Sequence, residues 1–402
     1  MRVLVAPLNA RIGGTQINAV DLGAAVRDLG HEVLVYAEEG PLDELIAGRG
    51  LPKVVAATPA QRVRGTRAAR ELHAAVVRER IDLVHAYERA RAVQAYVGAF
   101  LRTGTPVVAT IYSMSVPRDL PRDLPIVVGT RELLASARER DMDAVDLLEP
   151  PVDTRSDHPG VSGSAFRLDL GIGADELAVV VVSRLSEVLK LQGLLGAIDA
   201  VEVLATEFPV RLVIVGDGPA RDRVGERAES ANERTGRTVA MMTGFMQDPR
   251  PAYAAADVVL GMGSSALRGM ALGKPLVVLG EGGFSEVFDP TSATRFFEIG
   301  MYGFADEAEP DRLAGQLRRL LGDAELRGEL GRYSRSVAEE RYGLEAAASA
   351  LDGIYRRVAA RRAGLLARIA HGARAGARLL RSRATRRTAP APGRAGRKPS
   401  EW

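Results

Sequence analysis

DVVLGMGSSALRGMALGKPLVVLGEGG, residues Asp257–Gly283, is the stretch on which the fold turns. Val258 to Leu260 form an apolar, β-branched run that reads as a buried strand. Gly261 and Gly263 break it, and Ser264 and Ser265 are suited to capping a helix. Ala266 to Leu272 fill about two helical turns, with Gly273 as the C′ residue. Pro275 bars continuation, and Leu276 to Leu279 form the next strand. A strand feeding a glycine turn and then a helix leaves backbone N–H groups free at the helix start, which is an anion site. Two ligands fit that outline. Gly261-Met-Gly263-Ser-Ser-Ala266, with Glu281 about twenty residues on, has the form of a dinucleotide fingerprint. Against it stand the short helix and the late position in the chain, because that fingerprint opens its domain. The other ligand is a phosphate-bearing donor.

Composition frames the choice. A chain of 402 residues predicts two domains, and 46% hydrophobic residues is ordinary for a globular protein. There is no cysteine, which excludes a disulfide framework and a thiolate metal site. The opening MRVLVAPLNA is too short for a signal or membrane segment, so a cytoplasmic protein is expected. Residues 356–402 hold 14 Lys and Arg and one acid, leaving 40 basic and 50 acidic groups in the remainder. The net charge of +3 therefore hides an acidic body and a basic tail. Only Lys53, Lys190, Lys274 and Lys398 are lysine, so a lysine here is more informative than an arginine.

Arg2 to Ala6 is the first predicted strand, followed by a loop to Gly13-Gly14 and a helix to about Leu29, capped by Thr15 or Asn18. Glu32 to Tyr36 completes a βαβ opening. Further strands follow near His85, at 106–111 and at 126–129. His85 is placed at a strand's carboxyl end or packed in the interior. SMSVPRDLPRDLP, residues 113–125, is a long loop of the kind that often carries function. After a proline-rich linker a second series begins at Leu177, with Gly216-Asp-Gly-Pro219 opening one of its helices. The expected organisation is an α/β chain with two Rossmann-like domains facing a cleft: 1–150, a linker 151–163, 164–341, a C-terminal helix 342–355, and a tail 356–402.

Several landmarks, in order, are IGGTQINAVDLGAAVRDLGHEV, VVVSRLSEVLKLQGLLGAIDA, LVIVGDGP, TGF, AYAAADVVL, and GMALGKPLVV followed by GEGGFSE. Over roughly residues 1–355 this resembles the retaining nucleotide-sugar glycosyltransferases of family four, with the GT-B fold. The resemblance implies a metal-independent, hexosyltransferase-like enzyme that moves a sugar with retention from a nucleotide-diphosphate donor to a small or lipid-linked acceptor, with no cofactor. It assigns the donor diphosphate to Arg184 and Lys190 as catalytic residues. Donor contacts are implied at Gly13, Gly14, Gly244 and the turn Gly263, Ser264, Ser265 and Ala266. Cations and amides at that place stabilise the charge that grows on the leaving diphosphate.

The chain also departs from the pattern. Many relatives carry two glutamates eight residues apart around the central turn, and alignment puts them near Leu260 and at Arg268. A histidine often found after the strand ending at Ile111 is replaced by Tyr112-Ser-Met. Ribose recognition then falls to Glu281 or Glu286. Two alternatives remain: a non-catalytic partner of a glycosyltransferase, and a dinucleotide-dependent oxidoreductase. Asp141-Met-Asp143 has D-x-D form but reads as a solvated helix face, and no metal site is expected. Residues 356–382 predict a basic helix able to touch an anionic membrane from the cytoplasmic side, and 383–402 a disordered end. Nucleic acid is not an expected partner, since the body is acidic and the tail lacks aromatics up to Ser400.

Overall fold

Short runs of Val, Leu, Ile and Ala, bounded by turns, pair into two separate sheets. The computed structural model describes residues 1–57, 66–305, 311–360, 364, 366 and 368–374. The chain divides into two compact units, Met1–Pro151 with Leu344–Trp402, and Val152–Gly343.

In the first unit the strands are β1 (Arg2–Ala6), β2 (Glu32–Ala37), β3 (Lys53–Val55), β4 (Leu83–Tyr87), β5 (Val107–Ile111), β6 (Ile126–Val128) and β7 (Val145–Leu147). They lie in the order β3-β2-β1-β4-β5-β6-β7, every pair parallel. Such strands are apolar on both faces because helices cover both. One face packs around Leu4, Leu34, Val84 and Ala109, the other around Val3, Val33, Leu83 and Val108. Strand order reverses between β1 and β4, so the loops after those strands flank the ligand-binding crevice of such a sheet.

The second unit holds β8 (Leu177–Val182), β9 (Val210–Val215), β10 (Ala240–Gly244), β11 (Val258–Gly261), β12 (Leu276–Leu279) and β13 (Ser285–Val287). Their order is β10-β9-β8-β11-β12-β13, parallel except for β13, which runs antiparallel to β12. The reversal falls between β8 and β11, beside the segment Ser183–Lys190 and the turn Met262–Ser265.

Several expectations need correction. The first helix, Gly14–Asp28, is capped by Gly13, not by Thr15 or Asn18, and with no side-chain hydrogen bond. Likewise Gly263, with φ 60, precedes the helix Ser264–Ala271, so the two serines are its first residues and not its cap. Asp141 and Asp143 follow the helix Arg131–Glu139 in a turn; Asp141 has φ 54 and pairs with Arg122 at 3.0 Å. Residues 113–125 do form a long loop, without helix or strand, and it is fastened to its surroundings. Val116, Leu120 and Leu124 are buried, Arg89 Nε donates to Asp119 at 2.6 Å, and Tyr96 donates to Asp123 at 2.7 Å.

The last long helix, Leu344–Ala359, returns to the first unit. There Asp352 meets His31 Nε2 at 2.7 Å and the Tyr355 hydroxyl meets His85 Nδ1 at 2.7 Å. The predicted linker 151–163 belongs, from Val152 on, to the second unit. Val152 N donates to Tyr342 O at 2.8 Å, and Asp157, only 2% exposed, is built into the second unit. Beyond the helix, residues 366 and 368–374 are helical, and His371 pairs with Asp123 at 2.9 Å. The rest of the predicted basic helix and the end 383–402 lie outside the described residues. Among the described residues no helix is long and apolar enough to cross a membrane.

Candidate functional site

At the carboxyl end of β8 the chain continues as Ser183-Arg184-Leu185. This strap is bonded to the segment after β9: Ser183 N donates to Val215 O and Leu185 N to Asp217 O, both at 2.9 Å, and Ala220 N to Leu185 O at 3.0 Å. The approach is close enough to require glycine. A Cβ on Gly216 would stand 1.9 Å from Ser183 O, and one on Gly218 would stand 2.3 Å from Leu185 O. Both glycines also have positive φ, 147 and 154. Gly216 and Gly218 thus let the Arg184 strap seat on β9. The sequence reading made Gly216-Asp-Gly-Pro219 the opening of a helix, but that helix begins at Arg221, and the two glycines after a buried strand signal close approach instead.

Arg184 is exposed and Lys190 half-buried. Lys190 opens the helix Leu191–Leu204 and follows Leu189, a non-glycine residue held at φ 71. Burial first, and the Arg184 guanidinium second, pull the Lys190 ammonium down to about 8. Neither side chain has an ion-pair partner among the described residues. Burial and the neighbouring guanidinium make the charged Lys190 costly, and a bound anion would relieve it.

The central turn faces the same place. Ser183, Leu189, Lys190, Gly261, Met262 and Ser265 line one small depression. A Cβ on Gly261 would lie 2.9 Å from Ala266 N, so this glycine lets the helix start close against the strand. Gly263 N is already used, donating to Met301 O at 2.7 Å, and Leu267 N makes the bond to Gly263 O at 3.2 Å. Ser264, Ser265 and Ala266 are left as the first-turn amides without a helical acceptor behind them. Ser265 Oγ accepts from Met262 N at 3.1 Å, which fixes the turn.

Gly244 ends β10 at φ 79, and its carbonyl accepts from Gly216 N at 2.8 Å. It is followed by Phe245, 54% exposed, an aromatic that sequence reading passed over within the TGF landmark. Glu281 lies just past β12, where Tyr302 donates to its Oε1 at 2.5 Å. Glu286 is in β13 opposite Val278 and is paired with Arg295 at 3.1 Å. Leu260 is fully buried in β11, and Arg268 meets the buried Asp157 at 3.3 Å, so neither position offers an acid to a ligand.

In the first unit Gly13 has extended backbone and Gly14 is the first helical residue, with Gln16 Nε2 donating to Asn9 Oδ1 at 3.2 Å across the loop before them. His85 is not at a strand end. It is fully buried within β4 and bonded to Tyr355 and Thr110, and burial lowers its imidazole to about 3. Among the described residues no cluster of three or more His, Asp or Glu could hold a metal ion.

Comparison with known proteins agrees with this layout. Residues 176–323 match the family described as Glycosyl transferases group 1, and residues 12–140 the family described as Glycosyltransferase Family 4. A glycosyltransferase from Rickettsia africae superposes with TM-score 0.71 at 14% identity, over 89% of this chain and 98% of that one. HepE from Anabaena, solved with UDP and glucose, superposes with TM-score 0.69 at 19% identity, over 88% of this chain and 99% of its own. A putative UDP-N-acetylglucosamine 2-epimerase from Listeria monocytogenes also superposes, with TM-score 0.61 at 12% identity over 90% and 98%. At such identities the superpositions establish the fold, and the epimerase shows that the fold alone does not choose the reaction. No curated protein sequence matches the chain. The two family matches between them take in well over half of it, one in each unit. The chain belongs to the family-four-like glycosyltransferases, enzymes built from two Rossmann-like units of the GT-B type.

Proposed function

We propose that this glycosyltransferase transfers a hexose with retention from a nucleoside-diphosphate sugar to a small or lipid-linked acceptor, without a metal ion. The observation that carries the donor assignment is Lys190, without an ion-pair partner among the described residues and with its pKa lowered by burial and by Arg184, in one depression with Ser265 at the start of the helix Ser264–Ala271. A departing nucleoside diphosphate gains negative charge as the glycosidic bond breaks, and fixed cations and amides stabilise that change. Across the carboxyl ends, Phe245 follows β10, Gly216 follows β9, Arg184 follows β8, and Ser265 follows β11. A nucleobase stacked on Phe245 would leave its diphosphate over Arg184 and Lys190. HepE was solved with UDP-glucose, which makes a uridine diphosphate donor the first to try. Retention and the acceptor class rest on the family resemblance.

Calorimetric titration with UDP-, GDP- and dTDP-glucose, each against NAD, tests the assignment. Binding of one nucleotide sugar, lost in Lys190→Ala, is expected. Binding of NAD alone would overturn it.

We also propose that the basic C-terminal segment touches anionic lipid. Leu366 and Ile369 are 83% and 61% exposed on a helix held by His371 to Asp123. Each Lys or Arg near such a surface contributes about 1 kcal/mol. Sedimentation with anionic vesicles at low salt, abolished by the Leu366→Asp, Ile369→Asp double variant, is the expected result. No sedimentation of the wild type would remove the support for a lipid-linked acceptor.

A further inference from the structure

The turn that should receive the donor contains no acid. Where relatives place glutamates, this chain has a buried leucine in β11 and an arginine engaged by Asp157. Sugar hydroxyls are nonetheless best told apart by a carboxylate, since charge-assisted hydrogen bonds are the stronger and more directional ones. We infer that Glu281, oriented by Tyr302, recognises the hydroxyls of the donor's sugar. This rests on the nucleotide-sugar reading above.

Three observations place it. First, Glu281 and the anion turn are fastened to the same loop. Gly263 N donates to Met301 O at 2.7 Å, Glu281 N to Gly303 O at 3.0 Å, and Ala305 N to Glu281 O at 3.1 Å. This fastening is bought with glycine: a Cβ on Gly280 would stand 1.9 Å from Gly303 O, and one on Gly282 would stand 2.1 Å from Ala305 O. Second, the carboxylate is half used. Tyr302 donates to Oε1, while Oε2 has no partner among the described residues, and the side chain is only half-buried. Glu286 is the poorer candidate, because Arg295 holds it and it sits at mid-strand in β13. Third, the order of strands sets polarity. Phe245 follows β10 at one edge, Arg184 follows β8, and Glu281 follows β12. Neighbouring strands lie about 4.8 Å apart, so Phe245 and Glu281 are roughly 19 Å apart across four spacings, with the cations between them. With the base at Phe245 and the diphosphate at Arg184 and Lys190, the sugar falls on the Glu281 side. Tyr302, whose hydroxyl is pushed up chiefly by burial and then by Glu281 itself, stays protonated and holds the carboxylate in one rotamer.

The test compares nucleotide sugar with bare nucleotide. UDP-glucose and UDP, GDP-mannose and GDP, and dTDP-glucose and dTDP are titrated into wild type, Glu281→Gln and Tyr302→Phe. Glu281→Gln leaves both backbone bonds of residue 281 in place, and melting temperature is recorded to confirm folding. For the pair the wild type binds, Glu281→Gln is expected to weaken the sugar nucleotide about 30-fold and the bare nucleotide less than about 3-fold; Tyr302→Phe should weaken the sugar nucleotide by about 3- to 10-fold. Equal weakening of both ligands, or no weakening of either, overturns the assignment while leaving the donor reading intact. A wild type that binds none of the three sugars sinks the donor reading and this inference together.

Discussion

The two sheets handle charge at their carboxyl ends in opposite ways. In the first unit the buried Arg91 and Glu88 are answered from within. Arg91, 0% exposed, donates to Pro7 O at 2.9 Å, to Gln94 at 2.7 Å and to Glu38 at 2.6 Å, and it stacks over Tyr36. Glu88, held at φ 64, accepts from Tyr112 N at 3.0 Å, although burial still pushes its carboxyl upward. In the second unit Lys190 feels the Arg184 guanidinium, and neither cation has an ion-pair partner among the described residues. Paired buried charge fixes architecture, while an unpaired cation at a topological switch point marks a candidate anion site. The same change, removal of one cation, should therefore have opposite effects in the two places.

The largest effect on folding is expected at Arg91. Arg91→Ala leaves Glu38 and the Pro7 carbonyl without their donor and opens a cavity under Tyr36. A loss of about 3–5 kcal/mol is expected, read as the denaturant midpoint at unchanged m-value. A loss below about 1 kcal/mol would mean that the network is solvated, and the contrast between the units would collapse.

At the other mouth the effect should fall on turnover. Arg184→Ala and Lys190→Ala are each expected to cut kcat by two to three orders of magnitude, about 3–4 kcal/mol of transition-state stabilisation. Their stability should stay near wild type. Single variants with near-normal turnover would show that the couple is a surface feature.

How far the sequence could be read follows the same division. The turn at Gly261–Ser265 and the flanking strands were legible because their signals are local: an apolar run, glycines, then serines. Arg184 and Lys190 were singled out by resemblance, and the rarity of lysine supported the second. What escaped reading depends on contacts between distant parts of the chain. The roles of Gly216 and Gly218 appear only when Ser183 and Leu185 lie against them. The helix Leu344–Ala359 is amphipathic in sequence, but nothing local says that it closes on His31 and His85 of the first unit. The run 113–125 reads as a long loop, but nothing local says that Arg89 and Tyr96 fasten it from outside itself. Glycine and proline report backbone permissiveness; they do not report what approaches.

The smallest effect is the most diagnostic of unpaired charge. Lys190 is pulled down from 10.5 to about 8, chiefly by burial and then by Arg184. A base with a lowered folded pKa binds fewer protons in the fold than in the unfolded chain between those values. By linkage its contribution to stability therefore rises as pH climbs from about 8 towards 10.5, and at pH 7 the charged side chain is a burden to the ligand-free fold. Replacing it with methionine, of similar length and no charge, removes that burden. Lys190→Met is expected to stabilise the ligand-free protein at pH 7 by about 1 kcal/mol, or roughly 2–4 °C in melting temperature, and the gain should shrink as pH rises to 10. Adding a nucleoside diphosphate should reverse the order, because only the wild type then has an anion to pair with its cation. A variant less stable than wild type at pH 7, or a gain that does not change with pH, would mean that Lys190 is already compensated within the fold. The two sheet mouths would then differ in appearance and not in physics.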